Sequence, residues 1–131
     1  MKTNLEIIKS IYLGDAEQNA KNLKAVLAAE FEWRETAGFP YTGIFHSFEE
    51  VSKNLFAPLA AEWINFRAQV ENFHDAGQTI IATGFYHGTY KKTDRPMKAG
   101  FTHVWTLKDG AIVAYLQCAD TKKVWEAMDN I

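Results

Sequence analysis

His103 is the residue of this 131-residue chain whose type and setting best suit proton chemistry. It lies in the stretch FTHVWTLKDGAIVAYLQCAD, residues 101–120, which Asp120 closes. Asp109-Gly110 is the dipeptide of a two-residue β-turn, so the flanking segments read as the arms of a hairpin. In an uninterrupted hairpin Phe101, His103, Trp105 and Leu107 share a face with Ile112, Ala114, Leu116 and Cys118. His103 is then the one strongly polar side chain on an apolar face. An imidazole, with an ordinary pKa near 6.5, gives and takes protons around neutral pH. The competing reading is a core histidine satisfied by a hydrogen bond to backbone or tyrosine. The same register sets His103 opposite Leu116, four residues and roughly 13 Å from Asp120 at about 3.3 Å per residue. Only a bulge or strong curvature brings the two to one ligand. From its own setting Asp120 reads as the N-cap of a terminal helix.

Tyr12 and Tyr41 carry hydroxyls able to donate to a carbonyl or enolate. Trp33, Phe56, Trp63, Phe101 and Trp105 offer flat apolar surface, either to stack on a ligand or to fill a core. His46 and one of Tyr86 and His87 are further lining candidates. Aromatic residues make up 14% of the chain, a high share for an ordinary hydrophobic content of 47%, so much of the buried surface is flat and rigid. The formal charge of −2, with Lys and Arg scattered among Asp and Glu, provides no basic stripe for nucleic acid and no polybasic segment for lipid. Neither partner is expected. Cys118 is the only cysteine, which excludes an intrachain disulfide, and its place on the apolar face predicts burial. No Cys/His spacing suits zinc, so neither metal nor cofactor is expected. The start, MKTNLEIIKSIY, lacks the apolar core of a signal peptide, and a soluble cytoplasmic protein is the expectation.

The elements that must position these residues divide the chain in two. Residues 3–13 predict a helix opened by a Thr3/Glu6 capping box and closed by Gly14, with Leu5, Ile8 and Tyr12 on one stripe. Asp15 caps a second helix to about Ala29, and FEWRE, 31–35, alternates as a strand with Phe31, Trp33 and Glu35 on one side. Residues 36–46 read as loop. Ser47 and Glu50 box-cap a third helix, with a kink or stop near Phe56 imposed by Pro58. From Trp63 the period becomes two: Ile64, Phe66, Ala68 and Val70 face inward, DAGQ at 75–78 turns into a strand of about 79–90, and the hairpin follows. Val124, Met128 and Ile131 stripe a short terminal helix. The order predicts a single α+β domain over 1–131, with three N-terminal helices packed on one face of an antiparallel sheet. The opposite face, Thr102, Val104, Thr106, Val113, Tyr115 and Gln117, is semi-polar and suits burial against a second copy.

LAAEFEWRE, the Pro40-x-x-Gly43 turn, SFEEV, HVWTLKDGAI and CADTKKVWEAM, in this order, resemble the SnoaL-like branch of the nuclear transport factor 2-like superfamily. The resemblance spans nearly the whole chain. It implies a cone-shaped sheet wrapped around the helices, a deep apolar pocket, and a homodimer through the outer sheet face. It also implies an acid/base aspartate at the position of Asp120 and a pocket tyrosine at the position of Tyr12. Glu32 and Glu35 stand near the aspartate base of ketosteroid isomerases, without a residue-for-residue match. The Asp-x-Arg signature of limonene epoxide hydrolases has no clear counterpart. Superfamily members catalyse unrelated reactions or none. Two readings follow: a cofactor-independent cyclase, isomerase or dehydratase acting on a small apolar carbonyl compound, or a non-catalytic module that binds a small hydrophobic molecule.

Overall fold

The computed structural model describes residues 1–129. Helix α1 (Asn4–Ser10) carries the predicted capping box, with the Thr3 hydroxyl accepting from the Glu6 amide and the Glu6 carboxylate accepting from the Thr3 amide. Ile7 and Ile8 are its buried side chains, and Ile11 is buried at its C-cap. Helix α2 (Ala16–Val26), capped by Asp15, stops three residues earlier than its composition suggests. Leu27 is already extended and pairs with Ile112, so sheet pairing overrides the helix propensity of the Leu-Ala-Ala run. Strand β1 (Leu27–Glu35) follows, and the segment expected to be loop contains a short β2 (Gly43–Phe45).

Helix α3 (Phe48–Val51) runs into a π-helical turn (Ser52–Phe56) and then α4 (Ala57–Glu62). Pro58 therefore widens the helix instead of ending it. The ring has no N–H to donate, and a looser turn before it relieves the clash with the preceding carbonyls. Strands β3 (Trp63–Asp75), β4 (Thr79–Tyr90), β5 (Arg95–Lys108) and β6 (Ala111–Ala119) lead into α5 (Thr121–Asp129). Val124 of the predicted terminal stripe is buried and Met128 packs on the core, while Ile131 lies outside the described residues.

The six strands form one sheet in the order β2-β1-β6-β5-β4-β3. Every pairing is antiparallel except β1 with β6, which is parallel. This is the expected α+β architecture, an open curved sheet with helices against one face. The curve is built from bulges. Asn65, at φ 54°, puts Trp63 on the inner face and leaves Ile64 outside and 52% exposed, which reverses the predicted face of Ile64. A second irregularity lies between Val70 and Asn72. Between them β3 presses so closely on β4 that a Cβ on Gly84 would overlap the Gln69 carbonyl, so only glycine fits there.

The Asp109-Gly110 corner forms as predicted, both residues at positive φ. Past it, the register slips by one residue: Leu107 pairs with Ile112 but Thr106 pairs with Ala114. The extra residue, Val113, reverses the face of everything beyond it. Tyr115 and Gln117 point into the core, and Leu116 and Cys118 are exposed. His103 stands opposite Gln117, not Leu116. The predicted burial of Cys118, and the placing of Tyr115 and Gln117 on the outer face, are corrected by this single bulge.

Candidate functional site

The inner face of β5 places Phe101, His103 and Trp105 side by side, as alternation requires. Uninterrupted pairing with β4 brings Tyr86 to the same face and turns His87 outward. The Val113 bulge adds Tyr115 and Gln117 from β6, β1 adds Trp33 and Glu35, and Tyr12 reaches in just beyond α1. His103 is 5% exposed and hydrogen-bonded on both sides: Nδ1 lies 2.6 Å from the Tyr12 hydroxyl and Nε2 lies 2.6 Å from the Tyr86 hydroxyl. The Trp105 indole N–H donates to the Tyr12 oxygen at 2.7 Å, and the Gln117 amide donates to the Tyr86 oxygen at 3.1 Å. Gln117, fully buried, has its orientation set because its carbonyl accepts from the Thr36 amide at 3.2 Å.

Around this chain the aromatic rings touch. Phe101 stacks on His103 at 4.1 Å between centroids, and Tyr115 lies 4.2 Å from both Trp33 and Trp105. Phe56 meets the edge of Trp33 at 6.1 Å. Tyr12, Trp33, Phe56, Phe101, His103 and Trp105 of the predicted site therefore form one cluster. Tyr41 and Trp63 form a neighbouring one, in which the Trp63 indole donates to the Tyr41 hydroxyl at 2.9 Å and that hydroxyl donates to Glu62 at 2.8 Å. Phe39 and Phe66 bridge the two clusters by packing on Tyr86. His46 lies apart, its ring against the Phe31 carbonyl.

Asp120 is not in this assembly. It is exposed, and its carboxylate accepts from the Lys123 amide at 3.2 Å, the helix-cap role. With Cys118, Glu71 and Thr102 it lines a shallow concavity of about 440 Å³ on the outer side of the sheet. The acid that does enter the inner face is Glu35, 3% exposed, whose Oε2 accepts from the Trp33 indole at 2.9 Å.

Burial governs the titration of every group here, because a charge in an apolar interior loses its hydration. Desolvation holds the His103 pKa down at about 3, so the ring is neutral at ordinary pH. Desolvation lifts the Glu35 pKa to about 8, opposed only by the Trp33 hydrogen bond. Tyr12, Tyr86 and Tyr115 are likewise raised by burial, and the nearby Glu35 carboxyl raises all three further. Three neutral phenols, a neutral imidazole and a carboxyl titrating just above neutrality thus share one apolar face. Chemically, such a set can donate hydrogen bonds to an acceptor, and a carboxyl of this pKa can exchange a proton near neutral pH. Glu35 was visible in the alternation of FEWRE. Tyr86 depended on the β4 register, and Tyr115 and Gln117 were hidden by the bulge. Among the described residues, no cluster of His, Cys, Asp and Glu is arranged to hold a metal, and no helix is long and apolar enough to cross a membrane.

A curved sheet over N-terminal helices with polar groups held on its inner face defines the class, and the chain belongs to the SnoaL-like domain family, whose model matches residues 14–115. It is similar to an NTF2-like protein from Burkholderia thailandensis E264, at 35% identity over 98% of this chain and 99% of that one, with a TM-score of 0.93. Two likenesses below 20% identity are of fold. TerC, crystallised with polyporic acid, is 19% identical over 96% of this chain and 98% of that one, with a TM-score of 0.83. A protein with a ketosteroid isomerase-like fold from Catenulispora acidiphila DSM 44928, in complex with trimethylamine, is 17% identical over 96% and 93%, with a TM-score of 0.79. No curated protein matches the chain.

Proposed function

We propose that the protein takes a small apolar carbonyl compound onto the inner face and moves a proton on it without a cofactor, as a cyclase, isomerase or dehydratase would. Glu35 is the proton-transfer group, and Tyr12, His103 and Tyr86 hold the carbonyl. The observation that carries this reading is the buried Glu35 carboxyl, lifted to about 8 beside a neutral hydrogen-bonded chain. A carboxyl that gains and loses its proton near the working pH is what acid/base catalysis needs. Phe39, buried beside Tyr86 in the loop after Glu35, is the side chain an entering ligand displaces. The fold-level relatives that hold polyporic acid and trimethylamine support a small-molecule site.

The test is to identify the bound compound by native mass spectrometry of the purified protein and then assay its conversion. Glu35→Gln is expected to keep binding and lower turnover by roughly 100-fold or more. Equal turnover in the two proteins removes Glu35 from the chemistry. Binding without conversion by wild type leaves a non-catalytic binding module.

The assembly is proposed to be a homodimer through the outer sheet face. Leu116 and Ile64 are exposed there, 38% and 52%, and Phe85 and Val104 lie half-buried beside them. Apolar side chains on an open sheet face favour association. Sedimentation at micromolar concentration is expected to give twice the chain mass, and a monomer sinks this part of the reading.

A further inference from the structure

The hydrogen-bond chain on the inner face can be counted proton by proton. Its two ends are fed by groups that only give: the Trp105 indole N–H donates to the Tyr12 oxygen, and the Gln117 amide, oriented by the Thr36 amide at its other end, donates to the Tyr86 oxygen. Between these ends lie two links, Tyr12 to Nδ1 and Nε2 to Tyr86. Three protons are available for them, one on each hydroxyl and one on the neutral ring. Two links use two protons. If Nδ1 carries the ring proton, it donates to Tyr12, Tyr86 donates to Nε2, and the Tyr12 O–H is left over. If Nε2 carries it, Tyr12 donates to Nδ1 and the Tyr86 O–H is left over. Tyr115, beside Tyr86, brings one proton and one link, so the number of surplus protons does not change; where Tyr86 donates to it, the surplus of that end stands on the Tyr115 hydroxyl.

We infer that this surplus hydroxyl proton is the docking point for a single hydrogen-bond acceptor of the ligand, a carbonyl or enolate oxygen, and that the tautomer of His103 decides whether the Tyr12 end or the Tyr86 end offers it. The inference rests on the reading of the inner face as a ligand site. It makes His103 a positioning residue that works through its two tyrosines. A surplus donor in an apolar interior costs free energy until an acceptor meets it, so the cluster selects against ligands that lack one.

The test reads the ring directly, through ¹⁵N shifts of histidine-labelled protein, which separate the two neutral tautomers from the imidazolium. In wild type at pH 6, one ring nitrogen of His103 is expected to carry a proton and the other none. A doubly protonated ring frees both hydroxyl protons and overturns the inference. In Tyr12→Phe the ring N–H is expected at Nε2, facing Tyr86; in Tyr86→Phe it is expected at Nδ1, facing Tyr12, because an N–H seeks the surviving oxygen. The same tautomer in both variants overturns the assignment. Acetophenone and ethylbenzene, matched in shape and differing in the acceptor, serve as probes. Wild type is expected to bind the ketone roughly tenfold more tightly. Equal affinities, or binding of neither, overturn the docking point. Glu35→Gln separates the two readings: it is expected to keep the ketone preference even where it abolishes turnover.

Discussion

Glu35 closes β1 and Asp120 directly follows β6, and because these strands are parallel neighbours, both carboxyls stand at the same end of the sheet. One is 3% exposed among aromatic rings, with an indole N–H as its partner; the other is exposed and caps a helix. The first is lifted by desolvation to about 8. The difference teaches that the face a side chain takes sets its environment: the resemblance singles out Asp120, whereas Glu35 has the surroundings that prepare a carboxyl to exchange its proton near neutrality.

The largest expected effect that sharpens this contrast is on stability against pH. Glu35 has a folded pKa raised from about 4.5 to about 8, so the folded state holds a proton that the unfolded chain releases earlier. Its stabilising share is complete below about 4.5 and is lost as pH rises to about 8. The loss is on the order of 3–5 kcal/mol. His103 works in the other direction. Its folded pKa is lowered to about 3, so its share is present above about 6.5 and lost as pH falls toward 3. Denaturant melts of wild type are therefore expected to lose stability on both sides of a maximum. In Glu35→Gln the alkaline arm flattens and the acid arm remains. An unchanged alkaline arm means that Glu35 is not the buried acid described here.

Next in size is His103→Ala. The variant removes a ring packed against Phe101 and leaves two buried tyrosine hydroxyls without their shared partner. A loss of about 3 kcal/mol is expected, read as a shift in denaturant midpoint. A near-wild-type midpoint would mean that the ring borders a cavity, the alternative that the sequence left open. His103 is buried and hydrogen-bonded on both ring nitrogens, which is why the larger loss is the expected one.

How much of this was legible follows from where the register stays regular. The β4–β5 pairing runs without a slip from Thr79 with Thr106 to Tyr90 with Arg95, and alternation placed Phe101, His103 and Trp105 correctly. The capping residues Thr3, Asp15, Ser47 and Asp120 were readable too, because a cap is a local bond between a side chain and an amide three residues on. The alternation of FEWRE also puts Glu35 on the face it takes in the structure. Tyr115 and Gln117 were out of reach. Val113 is an ordinary β-branched residue, and nothing local marks it as the extra residue of a bulge; curvature of the whole sheet selects it. The same holds for Asn65 at its positive φ.

The smallest expected effect belongs to Asp120 and completes the contrast with Glu35. If its role is the cap, Asp120→Asn keeps an oxygen for the Lys123 amide and leaves stability within a few tenths of a kcal/mol, whereas Asp120→Ala removes the acceptor and costs about 1 kcal/mol. Turnover of the identified compound is expected to stay within about twofold in both variants, because the carboxylate faces solvent on the side of the sheet away from His103. A proton-transfer role predicts the reverse pattern, with Asp120→Asn stable and inactive, since an amide caps a helix but takes up no proton in this range. Asparagine and glutamine substitutions at the two acids, assayed side by side, therefore separate a cap from an acid. Equal losses of turnover at Asp120 and Glu35 would bring the outer concavity into the chemistry and end the assignment of the site to the inner face alone.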